Sequence, residues 1–111
     1  MSLIPKINSA VNQKYRTCDN ADDFRCRYIY EHLQALCETA LPIERYYHWC
    51  FCDNFEWIEG ESARFGLIHV DYKTQKRTVK KAGNFYADVI RASGVTNEIF
   101  EKYVKDQQYH L

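Results

Sequence analysis

Apolar positions along the 111-residue chain fall into blocks whose spacing predicts helices and strands in turn. The first block follows Asp22 and Asp23, two side chains that suit the positive end of a helix. Its members recur at helical spacing on one face, at Ile29, Leu33, Leu36, Cys37 and Ala40. Because proline cannot continue a helix, the pattern predicts a helix that begins near residue 21 and ends before Pro42.

A nearly continuous aromatic run follows this helix and predicts a strand over residues 43–52. An apolar run without polar alternation is typical of a strand that is covered on both faces. We therefore expect Tyr46, Tyr47 and Phe51 to lie in the core. Cys50 and Cys52 are two positions apart and should share one face of the strand. Residues 65–70 predict a second strand, and residues 71–78 predict a polar, basic turn.

The last third of the chain predicts two more helices. The longer one runs from about Val79 to Ser93, and Gly94 is placed to end it. Its predicted buried positions are Ala82, Phe85, Tyr86, Val89 and Ile90. Thr96 is placed to cap a short final helix, whose apolar positions are Ile99, Phe100, Tyr103 and Val104. The order of helix, strand, loop, strand, helix and helix is typical of a slice of an α/β barrel or a doubly wound sheet.

Charge and cysteine usage narrow the function classes. The chain has 15 basic and 15 acidic residues, so neither a nucleic-acid-binding stripe nor an acidic tail is indicated. No apolar run approaches the roughly 20 residues of a membrane span, and the first residues do not form a secretory signal. The five cysteines are an odd number without a CxxC pair, unlike a secreted disulfide framework. We expect a cytoplasmic chain with no metal, cofactor, nucleic-acid or membrane partner.

The chemistry-bearing segment runs from Trp49 to Trp57 and ends in Asp53-Asn54-Phe55-Glu56-Trp57. It is followed by Gly60-Glu61-Ser62-Ala63-Arg64-Phe65-Gly66-Leu67 and then by Val70-Asp71-Tyr72. This pattern resembles the C-terminal part of glycoside hydrolase family 1, whose β-glucosidases, β-galactosidases and 6-phospho-β-glycosidases have a (β/α)8 barrel. The resemblance covers residues 17–104. It implies an α/β fragment of a TIM barrel within residues 17–111, namely the last strand with its flanking helices, and leaves residues 1–16 as a weakly patterned segment without a match.

The resemblance also implies four substrate-binding residues. Trp49 would form the platform under the sugar, and Glu56 would accept hydrogen bonds from its O4 and O6 hydroxyls. The indole N–H of Trp57 would reach the O3 hydroxyl, and Phe65 would close the pocket wall. The Glu56-Trp57 pair favours an unphosphorylated β-linked glucoside or galactoside and does not separate the two. Taken singly, Trp49, Trp57 and Phe65 would be interpreted as core residues and Glu56 as solvated, so only their joint spacing indicates a site.

The sequence contains no recognisable counterpart of the family's two catalytic glutamates. Family members hydrolyse O-glycosyl bonds with retention through an acid/base in Asn-Glu-Pro and a nucleophile in Thr-Glu-Asn-Gly. Neither motif occurs here, and the first glutamate in the chain is Glu31. Asp53 is implied to have a structural role at the strand end. We therefore expect a glycone-binding fragment that is inactive alone, and no catalytic residue is assigned.

Two alternatives stay open. The chain could be a small carbohydrate-binding module that uses the same half-site, or a structural piece that assembles without binding sugar. In each case we expect self-association into a homo-oligomer, because an isolated barrel strand leaves edges and apolar faces uncovered. A cluster formed by Lys76, Arg77, Lys80 and Lys81 is interpreted as a solvated turn and helix start.

Overall fold

The computed structural model describes residues 24–109. The predicted helix start at Asp22 and Asp23 and the segment 1–16 lie outside the described residues. The regular elements are α1 (Arg25–Glu38), a 3-10 turn (Trp57–Glu59), β1 (Ile68–Val70), β2 (Arg77–Val79), α2 (Lys81–Ala92) and α3 (Asn97–Ile99), which continues as a π-helical turn (Phe100–Val104). These elements confirm both predicted long helices and the short final one.

The core lies where α1, α2 and the C-terminal helical turns meet. Its buried members are Cys26, Ile29, Leu67, Ala82, Phe85, Ile99, Tyr103 and Val104. The rings of Phe85 and Tyr103 have centroids 5.6 Å apart at its centre. All of these residues except Leu67, seven in number, come from the three helices or from the π-turn, which confirms the predicted faces of α2 and of the final helix in this region.

The later turns of α1 and α2 are packed less well than their apolar spacing predicts. Helix α1 ends at Glu38, and Cys37 and Ala40 are exposed rather than buried. On α2, Ile90 is also exposed. A pocket of about 410 Å³ separates the two helix ends and is lined by Tyr30, Leu33, Gln34, Cys37, Val89, Ser93, Gly94 and Val95. The predicted burial of Cys37, Ala40 and Ile90 is therefore wrong, because the helices meet through their first turns.

The predicted strand over residues 43–52 is extended but is not a regular strand. It forms one isolated parallel bridge, between Cys52 and Ile68. Five backbone hydrogen bonds to residues 65–68 fix its position. Cys50 N donates to Phe65 O at 3.2 Å and Asp53 N donates to Ile68 O at 3.0 Å; Leu67 N donates to the carbonyls of Cys50 and Phe51, and Ile68 N donates to that of Phe51, each at 3.0 Å. Within residues 24–109 this segment pairs along one edge only, which explains why a full strand is not formed.

The aromatic run is covered on one face only, which corrects the prediction of a strand buried on both faces. Tyr46, His48, Cys50 and Cys52 are partly or fully buried, and the Tyr86 hydroxyl of α2 donates to the Tyr46 carbonyl at 3.3 Å. The intervening side chains form an exposed surface, here called the aromatic face, which consists of Tyr47, Trp49 and Phe51. Tyr47 and Phe51 were predicted to lie in the core; the helices cover the other face, so that prediction is wrong.

A short hairpin replaces the longer strand and turn that the sequence predicts. β1 pairs antiparallel with β2, so that Ile68 lies opposite Val79 and Val70 opposite Arg77. The turn is held by Asp71, whose Oδ1 accepts from the backbone amides of Lys73 at 2.9 Å and Thr74 at 3.2 Å. The predicted strand over 65–70 is confirmed only in its last three residues, and the predicted turn over 71–78 contains most of β2.

The ends of the last helices follow their predicted signals closely. Thr96 caps α3, because its hydroxyl accepts from the Ile99 amide at 3.2 Å. Helix α2 ends at Ala92, one residue earlier than predicted, and its C-cap residue Ser93 takes the left-handed conformation at φ 56°. Gly94 then donates its amide to the Val89 carbonyl at 3.1 Å, which closes the helix end in the manner of a Schellman motif.

Candidate functional site

The indole of Trp49 and the carboxylate of Glu56 form the centre of the candidate site. Trp49 Nε1 donates a hydrogen bond of 2.8 Å to Glu56 Oε1. Trp49 is 66% exposed, and it lies on the aromatic face, opposite the helices. The peptide bond between Trp49 and Cys50 is cis. Two of the four predicted site residues are thus brought into direct contact, although seven positions separate them along the chain.

A tight turn holds Glu56 against Trp49. The Glu56 amide donates to the Gly60 carbonyl at 2.8 Å, and its carbonyl accepts from the Glu59 amide at 2.9 Å. Trp57 begins the 3-10 turn with φ at 48°, a conformation that is rare for a bulky residue and that concentrates at functional sites. The Trp57 side chain is 81% exposed.

The other two predicted residues flank this pair. Phe65 is half-buried, and its carbonyl accepts from Cys50 N at 3.2 Å and from His48 Nε2 at 3.3 Å. Its backbone is therefore fixed to the segment that carries Trp49. Within residues 24–109, no hydrogen bond or ring contact joins the side chains of Trp57 or Phe65 to the Trp49–Glu56 pair. The site is consequently an open half-site, with one hydrogen-bonded pair and two flanking rings.

Asp53 is the buried residue that fixes the segment carrying Glu56 to the rest of the fold. Its carboxylate is buried, and both oxygens are fully engaged. Oδ1 accepts from Lys80 Nζ at 2.9 Å and the Gly66 amide at 3.0 Å, and Oδ2 accepts from Arg64 Nη1 at 2.9 Å and the Val70 amide at 3.3 Å. This arrangement is consistent with the structural role that the resemblance implies for Asp53.

The pair formed by Asp53 and Lys80 corrects one prediction. Lys80 was expected in a solvated basic cluster, but it is only 8% exposed and points inward to Asp53. Burial alone would raise the pKa of Asp53. The positive charge of Lys80 and hydrogen bonds from Lys80, Arg64 and Val70 outweigh burial and hold that pKa below its ordinary value. The sequence offers no local signal that distinguishes Lys80 from its exposed neighbour Lys81.

The lowered pKa of Asp53 predicts a loss of stability in acid. The folded state holds the carboxylate more strongly than the unfolded chain, so its contribution is complete above the unfolded pKa of about 3.9. The free energy of unfolding should fall as the pH drops below about 4 and through the lower pKa of the folded state. Urea unfolding followed by circular dichroism between pH 2 and pH 7 measures this.

The Asp88→Asn variant is a matched control that distinguishes the contribution of Asp53 to acid-dependent stability from that of another carboxylate. Asp88 also has a lowered pKa, because it accepts a hydrogen bond from the Tyr103 hydroxyl, but it lies at the surface. The free energy of unfolding of the Asp88→Asn variant should still fall strongly in acid. That of the Asp53→Asn variant should depend much less on pH. Equal acid profiles for Asp53→Asn and the unchanged chain would contradict the assignment.

Arg25 is a buried anchor that the sequence pattern missed. Its Nη1 donates to the Gly66 carbonyl at 2.9 Å and its Nη2 to the Arg64 carbonyl at 2.9 Å, so α1 is tied to the loop that surrounds Asp53. A cation in the first turn of a helix is disfavoured by the helix dipole. That unfavourable placement was the available signal that Arg25 has a partner elsewhere in the fold.

Cys50 lies beside the site but is poorly suited to act as a nucleophile. Burial raises the pKa of its thiol to about 11, and the negative charges of Glu56 and Asp53 contribute in the same direction. Since the thiolate is the reactive form, the thiol is inert near neutral pH. Within residues 24–109, no group of three or more His, Cys, Asp or Glu side chains is arranged to hold a metal ion. The same residues include no helix of the length and apolarity that crossing a bilayer requires.

Two solved structures that are similar in fold to this chain are a β-glycosidase and a β-glucosidase. A β-glycosidase from Pyrococcus horikoshii superposes with a TM-score of 0.69 and 30% identity, over 90% of this chain and 27% of that one. A β-glucosidase from Thermotoga maritima in complex with cyclophellitol superposes with a TM-score of 0.59 and 41% identity, over 64% of this chain and 17% of that one. The fold of this chain is therefore that of a segment of these α/β glycosidases.

The sequence comparisons identify the family. The model of Glycosyl hydrolase family 1 matches residues 7–95, so the match includes positions 7–16, which the resemblance left out. The 1,4-beta-D-glucan glucohydrolase of Thermotoga neapolitana is 40% identical over 79 residues, which are 68% of this chain and 18% of that protein. Beta-glucosidase A of Thermotoga maritima is 43% identical over 77 residues, which are 67% and 17%. The chain belongs to glycosyl hydrolase family 1, and it spans less than a fifth of these curated relatives.

Proposed function

We propose that this chain is the glycone-binding part of a retaining β-glycosidase and that it binds the terminal sugar of a β-linked glucoside. The observation that carries the proposal is the hydrogen bond between Trp49 and Glu56 on the aromatic face. It places a flat ring and an acceptor-only carboxylate side by side. A pyranose needs these two groups, because its C–H face packs on a ring and its hydroxyls donate to a carboxylate.

The names of the relatives favour glucose as the sugar. Both Thermotoga proteins are described as acting on glucosides or glucans. Glu56 can accept from the O4 hydroxyl of either epimer, so a β-galactoside is the natural comparison ligand. The exposed indole of Trp57 provides a third contact, as a hydrogen-bond donor at the rim of the half-site.

We further propose that hydrolysis needs glutamates from outside this chain. Retaining glycosidases place two carboxyl groups about 5–5.5 Å apart around the scissile bond. The sequence has no Asn-Glu-Pro or Thr-Glu-Asn-Gly motif to provide them. The purified chain should therefore release no chromophore from aryl β-glucosides or aryl β-galactosides above a Glu56→Ala control. Turnover that disappears in that control would contradict this part of the proposal.

Sugar binding by the half-site can be tested through its own fluorophores. Trp49 and Trp57 are the only two tryptophans in the chain, and both belong to the proposed site. Methyl β-D-glucopyranoside should change their emission in the unchanged chain, since the sugar excludes water from both indoles. The Glu56→Ala variant should lose this saturable change, because it removes the carboxylate that holds the hydroxyls.

Glu59 offers a matched control in the same turn. It is partly buried and lies in the 3-10 turn, but within residues 24–109 no hydrogen bond joins its carboxylate to Trp49. The Glu59→Ala variant should therefore keep the sugar-dependent change. A response that survives in Glu56→Ala, or is lost equally in both variants, would count against the proposed role of Glu56. Absence of any response in the unchanged chain would favour the structural alternative over the glycone-binding one.

The isolated chain is also expected to self-associate. The rings of the aromatic face are 66–78% exposed, and association in water would bury them. Sedimentation of the unchanged chain over a range of concentrations should show a homo-oligomer whose stability is insensitive to salt.

A further inference from the structure

Asn54 connects the segment that carries Trp49 with the turn that carries Glu56. Its side-chain Nδ2 donates to Cys50 Sγ at 3.2 Å and to the Cys52 carbonyl at 3.1 Å. Cys50 directly follows Trp49 in the chain, and Asn54 itself lies two positions before Glu56. One side-chain amide therefore ties the start of the turn to the backbone beside the Trp49 indole.

The thiol of Cys50 takes part in the same link. Its Sγ donates to the Cys52 carbonyl at 3.2 Å, so Asn54, Cys50 and Cys52 form a closed ring of hydrogen bonds. Because burial raises the pKa of this thiol to about 11, the S–H keeps its hydrogen at neutral pH and the sulfur can donate and accept at the same time. A thiol is a weak partner in both roles, so the Asn54 amide provides most of the link.

Tyr72 holds Asn54 from the side of the hairpin. Its hydroxyl donates to the backbone carbonyl of Asn54 at 3.1 Å. Burial raises the pKa of this hydroxyl, so it stays protonated and can donate at neutral pH. The guanidinium of Arg64 lies over the Tyr72 ring, with Cζ 4.6 Å from the centroid, and Arg64 is itself bound to the buried Asp53. The Tyr72 side chain is thus held at its ring and at its hydroxyl, and it connects Asn54 to the buried ion pair.

The hydrogen bonds inside the turn over residues 54–60, here called the Glu56 turn, fix its shape but not its place. Those between Glu56, Trp57, Glu59 and Gly60 close the turn on itself. Within residues 24–109, hydrogen bonds join the Glu56 turn to the rest of the fold through Asn54 and through the contact between Trp49 and Glu56. A shift of the turn by about 1 Å along that 2.8 Å contact would take it out of hydrogen-bonding range.

We propose that Asn54 and Tyr72 are positioning residues of the half-site, which hold the Glu56 turn so that the Glu56 carboxylate stays hydrogen-bonded to the Trp49 indole. Both residues act through Glu56 and are not assigned a contact with the sugar. The consequence for sugar binding rests on the proposed function, whereas the contact between Trp49 and Glu56 can be measured without sugar.

The experiment records the indole N–H signals of the full chain labelled with ¹⁵N-tryptophan. Only Trp49 and Trp57 give such signals, and a Trp57→Phe variant assigns them. Because the Trp49 N–H donates to a carboxylate, its signal should lie downfield of the signal of the exposed Trp57. The Glu56→Ala variant gives the position of the Trp49 signal when this hydrogen bond is absent.

Tyr72→Phe removes only the hydroxyl that holds Asn54, and it should move the Trp49 signal at least half of the way to its position in Glu56→Ala. Asn54→Leu removes both side-chain donations at similar size and should move the signal further. Tyr86→Phe is the matched control, because it also removes a bond from a tyrosine hydroxyl to a backbone carbonyl, but at Tyr46, on the helix-covered side of the segment. It should leave the Trp49 signal in place. Tyr72→Phe and Tyr86→Phe should unfold at similar urea concentrations, so stability alone does not explain the difference.

Titration with methyl β-D-glucopyranoside separates the positioning role from the proposed function. Tyr72→Phe should weaken the sugar-dependent change in tryptophan emission at least about threefold in affinity, whereas Tyr86→Phe should not. A shifted Trp49 signal without any sugar response in the unchanged chain supports the positioning role and contradicts the glycone-binding function. A Trp49 signal that stays in place in Tyr72→Phe and Asn54→Leu, or that moves equally in Tyr86→Phe, would overturn the positioning role even if the chain binds sugar. So would a signal in the unchanged chain that already coincides with that of Glu56→Ala.

Discussion

Replacing Asp53 with asparagine is expected to lower the free energy of unfolding by about 3–5 kcal/mol, the range measured when one partner of a buried ion pair is removed. The carboxylate is 3% exposed and lies 2.9 Å from both Lys80 Nζ and Arg64 Nη1. An asparagine amide would keep two of its hydrogen bonds at most, and it would remove the negative charge that lies 2.9 Å from the buried ammonium of Lys80. Urea unfolding at neutral pH measures the loss.

Two further variants make the Asp53 result specific. Asp88→Asn removes an ion pair with Arg91 that lies at the surface, and its cost should be within about 1 kcal/mol. A double variant, Asp53→Asn with Lys80→Met, should recover part of the lost stability, because it also removes the buried positive charge that Asp53 balances. If Asp53→Asn costs no more than Asp88→Asn, the buried network is not what holds the motif in place.

Gly66→Ala is the second substitution with a large expected effect. A Cβ at this position would lie 2.3 Å from the Asp53 nitrogen and 2.4 Å from the Cys52 carbonyl carbon. Both atoms belong to the backbone and cannot rotate away as a flexible side chain would. The substitution should therefore push the segment that carries Glu56 away from the hairpin. It should lower the free energy of unfolding by about 3 kcal/mol or more, at the upper end of overpacking effects.

Gly60→Ala provides the matched control for Gly66→Ala. Gly60 has φ at 62°, and the nearest atom to an added Cβ is Phe55 Cε2 at 4.0 Å. Gly60→Ala should therefore lower the free energy of unfolding only by the strain of a left-handed backbone at alanine, about 1–2 kcal/mol. Urea unfolding should rank Gly66→Ala well below Gly60→Ala in stability. Equal losses would mean that the close approach of the two backbone segments is not retained in solution.

Local signals were sufficient for the helices, because their information lies within a few residues. The spacing of Ala82 and Phe85, the cap at Thr96 and the C-terminal signal near Gly94 were enough to place the last two helices within one or two residues. The hydrophobic pattern also identified the aromatic run as extended. It could not give the exposure of Tyr47 and Phe51, because exposure depends on whether a second layer is present.

The anchors of the candidate site could not be predicted locally, because their partners are far apart in the chain. Lys80 reaches Asp53 across 27 positions, and Arg25 reaches Gly66 across 41. A lysine in a basic cluster carries no mark of burial in the sequence, and the placement of Arg25 in the first turn of a helix does not say where in the chain its partner lies. Only the fold brings Lys80 to Asp53, and the cost of burying either charge alone explains why they are paired.

The sequence by itself determined the family of the chain and the identity of its candidate sugar-binding residues, because Trp49, Glu56, Trp57 and Phe65 stand in a specific linear pattern. It also determined the positions of the helices through periodic apolar residues. The tertiary structure alone decided that Trp49 and Glu56 share a hydrogen bond, that Asp53 is the buried anchor and that the aromatic face is uncovered. These features depend on which distant segments meet in three dimensions, and a linear pattern does not encode the layer that a chain packs against.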